Sequence, residues 1–531
     1  MDCFLGIDVG SSSCKVAAFN LDGKFAAFSS HSNPTHEPQP GFRQQDPEHW
    51  WQAVAQGIRD VLQTVAAKEI VAVGAAGHIS SLTFVDSSGN PLRPAIGFQD
   101  QRAQLELKEL YERFSREELA RRLGIDLPPA GTWPLPRLLW IKRHEPDTLR
   151  KAQRFLQAKD FVNYRLTGEF ASDHSSMRGL VDFATGTVAT SVFSDLGLPV
   201  RLVPRICRPD EIIGKLTESA AAETGLRPGL PVVGGWNDLN ASVLGSGLVG
   251  EGDAFNITGT SEHLGIVTAR KHSTPELISA PFLPGKNLFY GVTSCGGGSL
   301  AWLAQTMGRD ADDLLARAAT VPPGSDGLLF LPYLEGERAP IWDPKASGAF
   351  IGLRTAHTAG HLARAVLEGV VFSLNQIMTR VGQHAHTIKS PLVISGGASR
   401  AHLWNQIKAD VLHHSVTVPE NHNAGVLGAA MLAAVGAGCY KDCDAAAKGM
   451  LRYAKTLEPV ATRAATYLES ARIYDQLYPA LKDSFAAISE QRTQRGMDHE
   501  RKECRHFWRG ENLPRFHLAF TDPVRLSHHF R

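Results

Sequence analysis

The sequence is poor in cysteine and has no excess of charge of either sign. Its 531 residues include seven cysteines, and no two of them form a CxxC pair. An odd number of scattered thiols argues against a zinc site or a disulfide framework and favours a reduced, cytoplasmic protein. There are 55 basic and 54 acidic residues, for a formal net charge of +1. This balance supplies no general field that would attract nucleic acid or an anionic membrane.

A long apolar run is also missing from the sequence. No segment approaches the roughly 18 apolar residues that a membrane-spanning helix needs. The longest stretch of small apolar residues, at 427–435, is too short and too rich in alanine. The first ten residues contain two aspartates and no basic residue, which predicts a buried strand and not a signal peptide. At roughly 100–200 residues per domain, the length suggests two to four globular domains.

The first half of the sequence has the pattern of a mixed α/β domain. Residues 4–9 and 15–19 are apolar and flank a turn of glycine and serines, so they predict a strand hairpin. Residues 50–67 have the apolar period of a helix, and Asp46 is a suitable N-cap for it. Residues 70–75 again predict a buried strand. Strands interleaved with a helix indicate the α/β class.

The pattern begins again in the second half of the sequence. Residues 253–257 and 263–267 are apolar segments on either side of a turn that contains Thr, Gly and Ser. The repeat predicts two α/β domains of similar layout, residues 1–248 and 249–490. Residues 491–531 are rich in Arg and His without a clear period, which predicts a disordered or non-native tail.

Two turns rich in glycine and hydroxyl groups are candidates for binding phosphate. Backbone N–H groups in such turns can surround phosphate oxygens. In the first turn an aspartate can hold Mg²⁺ directly or through water, and a lysine can place its charge near a γ-phosphate. Its residues are Asp8, Ser11, Ser12, Ser13 and Lys15. The second turn, residues 258–261 (Thr-Gly-Thr-Ser), would hold a polyphosphate from the other side. Either turn alone is also typical of an ordinary polar hairpin.

Asp238 is the candidate general base. The strand at 230–233 ends in two glycines, and Asp238 then begins a helix that is rich in small residues. In this position the carboxylate can accept the proton of an attacking hydroxyl. The alternative is that Asp238 only caps the helix.

Three further positions suggest pockets. Residues 392–395 predict a strand that leads into Gly396 and Gly397 and then a helix, and this turn can lie flat against an adenine or ribose. His78 and Asp100 each follow a strand and could line a pocket for hydroxyl groups. A plain strand-to-helix turn and a structural histidine are the alternatives.

Taken in order, these segments resemble the FGGY family of carbohydrate kinases, from about residue 4 to about residue 490. The order and spacing of the motifs carry the resemblance. The matching segments are 6–10 (Gly-Ile-Asp-Val-Gly), 136–140 (Pro-Arg-Leu-Leu-Trp), 167–169 (Thr-Gly-Glu), 171–173 (Ala-Ser-Asp) and 396–399 (Gly-Gly-Ala-Ser) with Trp404, Gln406 and Asp410.

The resemblance implies a fold and a reaction. Two RNase H-like domains of the actin/hexokinase/Hsp70-like ATPase type would flank a central cleft, with the sugar mostly on the first domain and MgATP mostly on the second. The implied reaction is ATP-dependent phosphorylation of a primary hydroxyl of a sugar. The sequence is most similar to the branch of the family that acts on the ketopentose D-xylulose.

The resemblance also implies roles for single residues. Asp238 aligns with the catalytic base, seven residues before Gly245, and Asp8 aligns with the acid near Mg²⁺. The implied ATP contacts are Ser11, Ser12, Ser13, Lys15, Gly259, Thr260, Gly297, Gly396, Gly397, Ala398 and Asn405. The implied substrate contacts are Gly77, His78, Asp100, Asp238 and Leu239, and the implied metal residues are Asp8 and Asp238.

Three positions depart from the family pattern. Ser11 replaces a threonine and keeps the hydroxyl. Leu239 stands where an asparagine usually follows the base, and Gly77 stands where a methionine often precedes the histidine. Loss of an amide changes the polarity of a sugar pocket, and polar partners decide specificity among such ligands. Ribulose, erythritol, arabinitol and glycerol therefore remain as alternative substrates.

Other classes of protein remain as alternatives. A non-catalytic sugar or nucleotide sensor would not need to keep the base, yet Asp238 is retained. A chaperone ATPase would need a peptide-binding domain, and residues 491–531 are too short to supply one. An oxidoreductase would need a GxGxxG motif, which residues 296–298 do not form. The expected partners are a sugar or polyol and MgATP, and a homodimer is expected only because dimers are common.

Overall fold

Two mixed β-sheets, which share the order of five neighbouring strands, organise the protein. The first has seven strands, in the order β13-β14-β5-β1-β2-β3 with β15 beside β5, and the second has six, in the order β18-β19-β17-β16-β22-β23. Their strands are β1 (Cys3–Val9), β2 (Ser13–Asn20), β3 (Phe25–Ser32), β5 (Ile70–Gly77), β13 (Ile212–Lys215), β14 (Pro231–Val233), β15 (Trp236–Asn237), β16 (Ala254–Thr258), β17 (Glu262–Thr268), β18 (Ile278–Pro281), β19 (Asn287–Val292), β22 (Leu392–Gly396) and β23 (Val416–Thr417).

The pairing of the strands repeats from one sheet to the other. In the first sheet β1 pairs antiparallel with β2 and parallel with β5. In the second sheet β16 pairs antiparallel with β17 and parallel with β22. A further antiparallel strand follows in each, β3 beside β2 and β19 beside β17. This repeat confirms the prediction that two α/β domains have a similar layout.

The remaining strands form small two-stranded sheets, and sixteen α-helices lie in the described residues. The strands are β4 (Gln44–Gln45), β6 (Thr83–Val85), β7 (Ala95–Ile96), β8 (Arg154–Leu156), β9 (Ala171–Asp173), β10 (Val181–Asp182), β11 (Thr187–Val188), β12 (Arg205–Cys207), β20 (Leu329–Leu331) and β21 (Ala349–Ile351). The helices are α1 (Pro47–Val61), α2 (Gln104–Arg113), α3 (Arg116–Leu123), α4 (Pro134–His144), α5 (Pro146–Lys151), α6 (Ala158–Thr167), α7 (Thr190–Leu196), α8 (Glu218–Thr224), α9 (Asp238–Gly245), α10 (Gly297–Met307), α11 (Ala311–Ala319), α12 (Ala359–His384), α13 (His402–Leu412), α14 (Ala424–Gly436), α15 (Cys443–Met450) and α16 (Ala461–Arg509).

The computed structural model describes residues 2–127, 130–454 and 456–509. The described residues up to Tyr478 belong to one compact unit, and those from Pro479 belong to a second. The segment predicted as a tail begins within α16, and its residues 510–531 lie outside the described residues. The predicted domain boundaries stay predictions. In the part of the chain that the structure describes, no helix combines the length and the apolar character needed to cross a membrane.

Helix α1 forms for the reasons that its sequence predicts. The Asp46 side chain accepts a hydrogen bond from the Glu48 N–H at 3.0 Å, and Pro47 occupies the first turn, where a missing N–H costs nothing. Trp50, Trp51 and other apolar residues of the same face are buried. The helix ends at Val61, earlier than predicted, because residues 67–69 form a separate 3₁₀ turn before β5.

Helix α14 comes from the second half of the sequence but packs on the first sheet and on α9. The contact is between backbones. A Cβ at Gly6 would lie 2.0 Å from the Val426 carbonyl oxygen, and one at Gly428 would lie 1.9 Å from the Ala241 carbonyl oxygen. Glycine permits an approach that any side chain would prevent. Because of this packing, the first turn of α14 lies at the carboxyl end of β1.

Replacement of Gly428 by alanine is expected to destabilise the protein. The new Cβ would overlap the backbone of α9, and overpacking of this kind costs about 1–3 kcal/mol or more of the free energy of unfolding. Gly382→Ala is the matched control, because a Cβ there has only an ordinary contact at 3.9 Å with Ile388. Thermal unfolding measures both variants. An unchanged Tm for Gly428→Ala would contradict the close packing of α9 and α14.

Candidate active site

Three parallel strands of the first sheet end at the same edge and bring the predicted residues together. Asp8 on β1 pairs with Ala76 on β5, and Asn237 on β15 pairs with Gly77 on β5. His78 and Asp238 directly follow these strands. Ligands of open α/β sheets bind outside the carboxyl ends of the strands. The topology therefore builds a polar site at this edge.

Asp238 lies in the first turn of α9 but does not cap it. The N-cap is Asn237, whose Oδ1 accepts a hydrogen bond from the Asn240 N–H at 2.9 Å, so the interpretation of Asp238 as a simple cap is wrong. One oxygen of Asp238 accepts from the Leu239 N–H at 2.8 Å. Within residues 2–127, 130–454 and 456–509 the Asp238 carboxylate forms no ion pair, so it is available to a ligand.

The surroundings of Asp238 suit a proton acceptor. Burial raises the pKa of Asp238 to about 7, and the nearby charge of Asp8 acts in the same direction. The Leu239 N–H and the charge of Arg178 oppose this rise but do not cancel it. A general base is most effective when its pKa lies near the working pH. Perturbed carboxyl groups of this kind are also typical of functional sites.

Asp8 has the features of a residue that contacts a cation. Its Oδ1 is buried and has no hydrogen-bond partner among the described residues, and its Oδ2 lies 3.9 Å from the Lys15 Nζ. No group of three or more His, Cys, Asp or Glu residues that could hold a metal exists in the described part of the chain. Mg²⁺ commonly binds through one or two carboxylates, water and substrate phosphates. Asp8 therefore fits Mg²⁺ that arrives with a nucleotide.

The first turn, between β1 and β2, points its carbonyl groups away from the exposed face. The carbonyl oxygens of Gly10 and Ser12 accept hydrogen bonds from Asn33, and that of Ser11 accepts one from Gln45. The N–H groups of Ser11 and Ser12 donate to no acceptor among the described residues. Free N–H groups in a turn form a concave site that favours anions. The first turn is therefore prepared for phosphate oxygens.

The second turn, between β16 and β17, has the same arrangement. The carbonyl oxygen of Gly259 accepts from the Gly297 N–H at 2.8 Å, and that of Thr260 accepts from the N–H groups of Gly296 and Gly298. These donors lie at the start of α10. The Thr260 N–H has no acceptor within the part of the chain that is described, and Gly259 and Thr260 are exposed. The start of α10 thus binds the carbonyl groups of the second turn and leaves the Thr260 N–H available to a ligand.

The predicted adenosine turn lies against this second turn. Gly396 has a φ of 101°, and a Cβ there would lie 2.0 Å from the Thr258 carbonyl oxygen, so only glycine fits. A Cβ at Gly297 would lie 3.9 Å from the Cβ of Ala398. The structure therefore brings together three of the four segments predicted to contact ATP.

Gly397 and Asn405 differ in what they offer a ligand. A Cβ at Gly397 would meet no atom of the described residues within 4 Å, so this position has room for a ligand. Asn405 is buried on α13, and its Nδ2 donates to the Ser399 carbonyl oxygen at 2.6 Å. Asn405 thus supports the turn from behind.

Residues 422–425 also belong to the site, although no motif in the sequence pointed to them. The carbonyl oxygen of His422 accepts from the Gly396 N–H, and its ring nitrogen lies 2.9 Å from the Ser399 hydroxyl. Three residues later, a Cβ at Gly425 would lie 3.3 Å from the Asp8 Oδ2. Residues 422–425 therefore connect the adenosine turn to the first phosphate turn. Their only sequence signal is a polar run before an alanine-rich helix.

His78 is prepared to accept a hydrogen bond from a hydroxyl. Burial lowers its pKa, so the ring is neutral, and its Nδ1 donates to the Val9 carbonyl oxygen at 2.7 Å. The Nε2 then has no proton and has no partner among the described residues. The Trp50 ring packs edge-on against His78 at 5.6 Å. The backbone at Gly77 leaves little room for a side chain, because a Cβ there would lie 3.1 Å from the Lys159 backbone nitrogen.

Asp100 and Leu239 are less available than His78. Asp100 is fully buried, and its carboxylate accepts two hydrogen bonds from the Arg102 side chain and one from the Arg43 N–H. Its direct contact with a substrate stays a prediction, and its observed bonds support the surrounding loop. Leu239 is a buried apolar residue beside the base.

Comparisons with known proteins identify relatives of this chain. The models of the FGGY family of carbohydrate kinases match residues 3–245 with the N-terminal domain and residues 254–437 with the C-terminal domain. The chain is 30% identical over 503 residues to a xylulose kinase of Bacillus subtilis, which covers 92% of this chain and 99% of that protein. It is 27% identical over 509 residues to a gluconokinase of the same species, covering 93% and 98% of the two chains.

A solved structure also resembles this chain in its fold. The crystal structure of xylulose kinase from Rhodospirillum rubrum matches with a TM-score of 0.80 at 30% identity, covering 91% of this chain and 100% of that chain. The predicted two-domain architecture of the actin-like ATPase type is thereby confirmed. The chain therefore belongs to the FGGY family of carbohydrate kinases and is an ATP-dependent sugar kinase.

Proposed function

We propose that this kinase transfers the γ-phosphoryl group of ATP to a primary hydroxyl of a ketopentose such as D-xylulose, with Asp238 as the general base. The observation that carries the proposal is the free Asp238 carboxylate at the carboxyl edge of the first sheet. It lies near Asp8 and two strands from the first phosphate turn.

Each residue of the site has a separate role in the proposed reaction. Asp238 takes the proton of the sugar hydroxyl as its oxygen attacks the γ-phosphorus. Lys15 and the N–H groups of the first turn face the transferred group from one side, and the second turn, with Thr260, faces it from the other. Mg²⁺ held near Asp8 would offset charge on the phosphates. Positioning and charge stabilisation supply most of the rate in such reactions, because the transition state is loose.

The substrate side of the site favours a neutral sugar with several hydroxyls. The His78 Nε2 can accept a hydrogen bond from one hydroxyl. Leu239 supplies an apolar surface where an amide is usual in the family, so fewer polar groups select the substrate. The names of the relatives in Bacillus subtilis and Rhodospirillum rubrum support D-xylulose. Other ketoses or polyols, such as ribulose, erythritol, arabinitol or glycerol, are the alternatives. Mg²⁺ dependence, a homodimer and a cytoplasmic location stay predictions.

A sugar acid is a second candidate substrate. Arg178 is buried, its charge acts on Asp238, and it forms no ion pair within the described residues. Its Nη1 donates to the Tyr290 hydroxyl at 2.9 Å, while its Nε has no partner in the described part of the chain. A buried cation of this kind complements a carboxylate on the substrate. The similarity to a gluconokinase points in the same direction.

An ADP-release assay over a panel of sugars tests the substrate. The panel contains D-xylulose, D-ribulose, erythritol, D-arabinitol, glycerol and D-gluconate, each with the wild type and with Arg178→Met. We expect the highest kcat/KM with D-xylulose. A preference for D-gluconate that Arg178→Met abolishes would establish the sugar acid in its place. ADP release with none of the panel, together with tight sugar binding, would favour a sensor.

Asp238→Asn should lower kcat at least about 100-fold and change the KM for ATP little, because the amide cannot accept the proton. Asp442→Asn is the matched control. It makes the same substitution at the N-cap of α15, where asparagine is an equally good cap. A variant Asp238→Asn with near-normal kcat would remove Asp238 from the role of base.

The same substitution should also raise thermal stability in a pH-dependent way. An unfolded aspartate has a pKa near 3.9, whereas that of Asp238 in the folded protein is about 7. The unfolded state therefore loses its proton first as the pH rises, and the cost of the buried carboxyl group to folding grows from about pH 4 to about pH 7. Asp238→Asn removes this cost, so its gain in Tm over the wild type should be larger at pH 8 than at pH 5.

Asp442→Asn serves again as the control and should show no such difference. An equal change of Tm at pH 5 and pH 8 for Asp238→Asn would show that the folded-state pKa of Asp238 is not raised.

A further inference from the structure

A buried network of hydrogen bonds behind α9 converges on the hydroxyl of Ser175. The Ser175 Oγ accepts from the Trp236 Nε1 at 2.8 Å and from the Asn237 Nδ2 at 2.9 Å. It donates to the Asp173 Oδ1 at 2.6 Å. All four residues are buried. The Asn240 Nδ2 makes a longer contact of 3.4 Å with the same oxygen. Two lone pairs and one proton are all that a serine hydroxyl has, so its hydrogen-bonding capacity is filled.

The direction of each bond in this network follows from the groups themselves. The Asn240 N–H can only donate, so it fixes Oδ1 as the capping atom of Asn237 and turns the Asn237 amide nitrogen toward Ser175. The indole nitrogen of Trp236 is also only a donor. Ser175 therefore has to donate to Asp173. No other arrangement of protons satisfies these contacts.

The far end of the network is anchored by an ion pair. The Lys159 Nζ lies 3.1 Å from the Asp173 Oδ2 and 2.6 Å from the Asp160 Oδ1, and all three side chains are buried. Asp173 Oδ1 also accepts from the N–H groups of Ser175 and Ser176. Removing one partner of a buried ion pair is strongly destabilising, because the other charge is left uncompensated. The folded state therefore keeps Asp173 beside Lys159.

We propose that Ser175 is a positioning residue for Asp238. The chain Lys159–Asp173–Ser175–Asn237 holds the N-cap residue of α9, and the carboxylate of the next residue takes its direction from that cap. The proposal rests on the proposed role of Asp238 as the base. Capping alone needs only an acceptor at position 237, which serine or aspartate would supply equally well. The amide of Asn237 adds the bond to Ser175, and displacements of about 1 Å can cost about 100-fold in rate.

Ser175→Ala is the principal test. It removes the acceptor of Trp236 and Asn237, so we expect kcat to fall about 10–100-fold while the KM for ATP changes less than about threefold. Ser176→Ala is the matched control, because Ser176 is equally buried and its Oγ lies near the Asp173 carboxylate but contacts neither Trp236 nor Asn237. It should have near-normal kcat. Ser175→Thr restores a hydroxyl and should recover most of the lost kcat.

Asn237→Ser gives a second, independent measurement. It keeps a capping oxygen for the Asn240 N–H and removes only the amide that reaches Ser175. Its kcat should fall to a level similar to that of Ser175→Ala. The double variant should be little slower than either single variant, because both remove the same bond and their effects on kcat are then not additive. This variant keeps the proposal testable if Ser175→Ala fails to fold.

The outcomes separate this proposal from the proposed function. A low kcat for Ser175→Ala and Asn237→Ser, with normal kcat for Ser176→Ala and recovery in Ser175→Thr, supports the positioning role. If Asp238→Asn is inactive but Ser175→Ala and Asn237→Ser are as active as Ser176→Ala, the positioning role is overturned and the base remains. If Asp238→Asn is active, the proposed function fails, and the positioning role fails with it.

Discussion

The carboxyl groups of Asp8 and Asp238 are held near one another at the ends of strands in one sheet, in surroundings that disfavour the ionised form of Asp238. Burial and the charge of Asp8 both raise the pKa of Asp238 to about 7. This arrangement costs stability, and proteins keep such costs where function needs them. The rest of the first sheet holds the two carboxyl groups in place. Parallel pairing aligns the strand ends, and the Asn237 cap fixes the start of α9.

The close contact of α9 with α14 joins the two halves of the sequence around this pair. Helix α14 begins beside Asp8, and the residues before it contact the adenosine turn through His422. The Ser246 hydroxyl, just after α9, donates to the Ser395 hydroxyl on β22 at 2.8 Å. The base and the nucleotide turns are therefore parts of one packed assembly, and a shift of either helix changes the distances between them.

Much of the architecture could be predicted from local patterns. The two hairpins, the Asp46 cap and the strand before Asp238 follow from residue types that act on their immediate neighbours. The position of α14 could not be predicted in this way, because every face of this helix is apolar or small and gives no amphipathic signal. Its contacts depend on glycines of its own, such as Gly428, and on glycines far away in the sequence, such as Gly6.

The residues of the site differ in the same way, because some follow from local sequence patterns and others do not. Asp8 is a polar residue at the end of an apolar strand, and His78 and Asp238 directly follow such strands, so this pattern is visible in the sequence. Ser175 and Arg178 lie in an irregular segment, where nothing in the spacing distinguishes a buried serine with several hydrogen-bond partners from one in solvent. In the sequence, Asp100 is as good a candidate as His78 for contact with a sugar. Its carboxylate is instead paired with Arg102, a partner that the spacing of residues could not identify.

The most direct test of the account is a crystal structure of this kinase with D-xylulose and a non-hydrolysable ATP analogue. The quantity to measure is the distance from the Asp238 carboxylate to the nearest primary hydroxyl of the sugar. We expect a hydrogen bond of about 2.6–3.2 Å, with that hydroxyl facing the γ-phosphorus. A sugar bound with Asp238 turned away from it, or a nucleotide whose γ-phosphate lies far from both phosphate turns, would contradict the account.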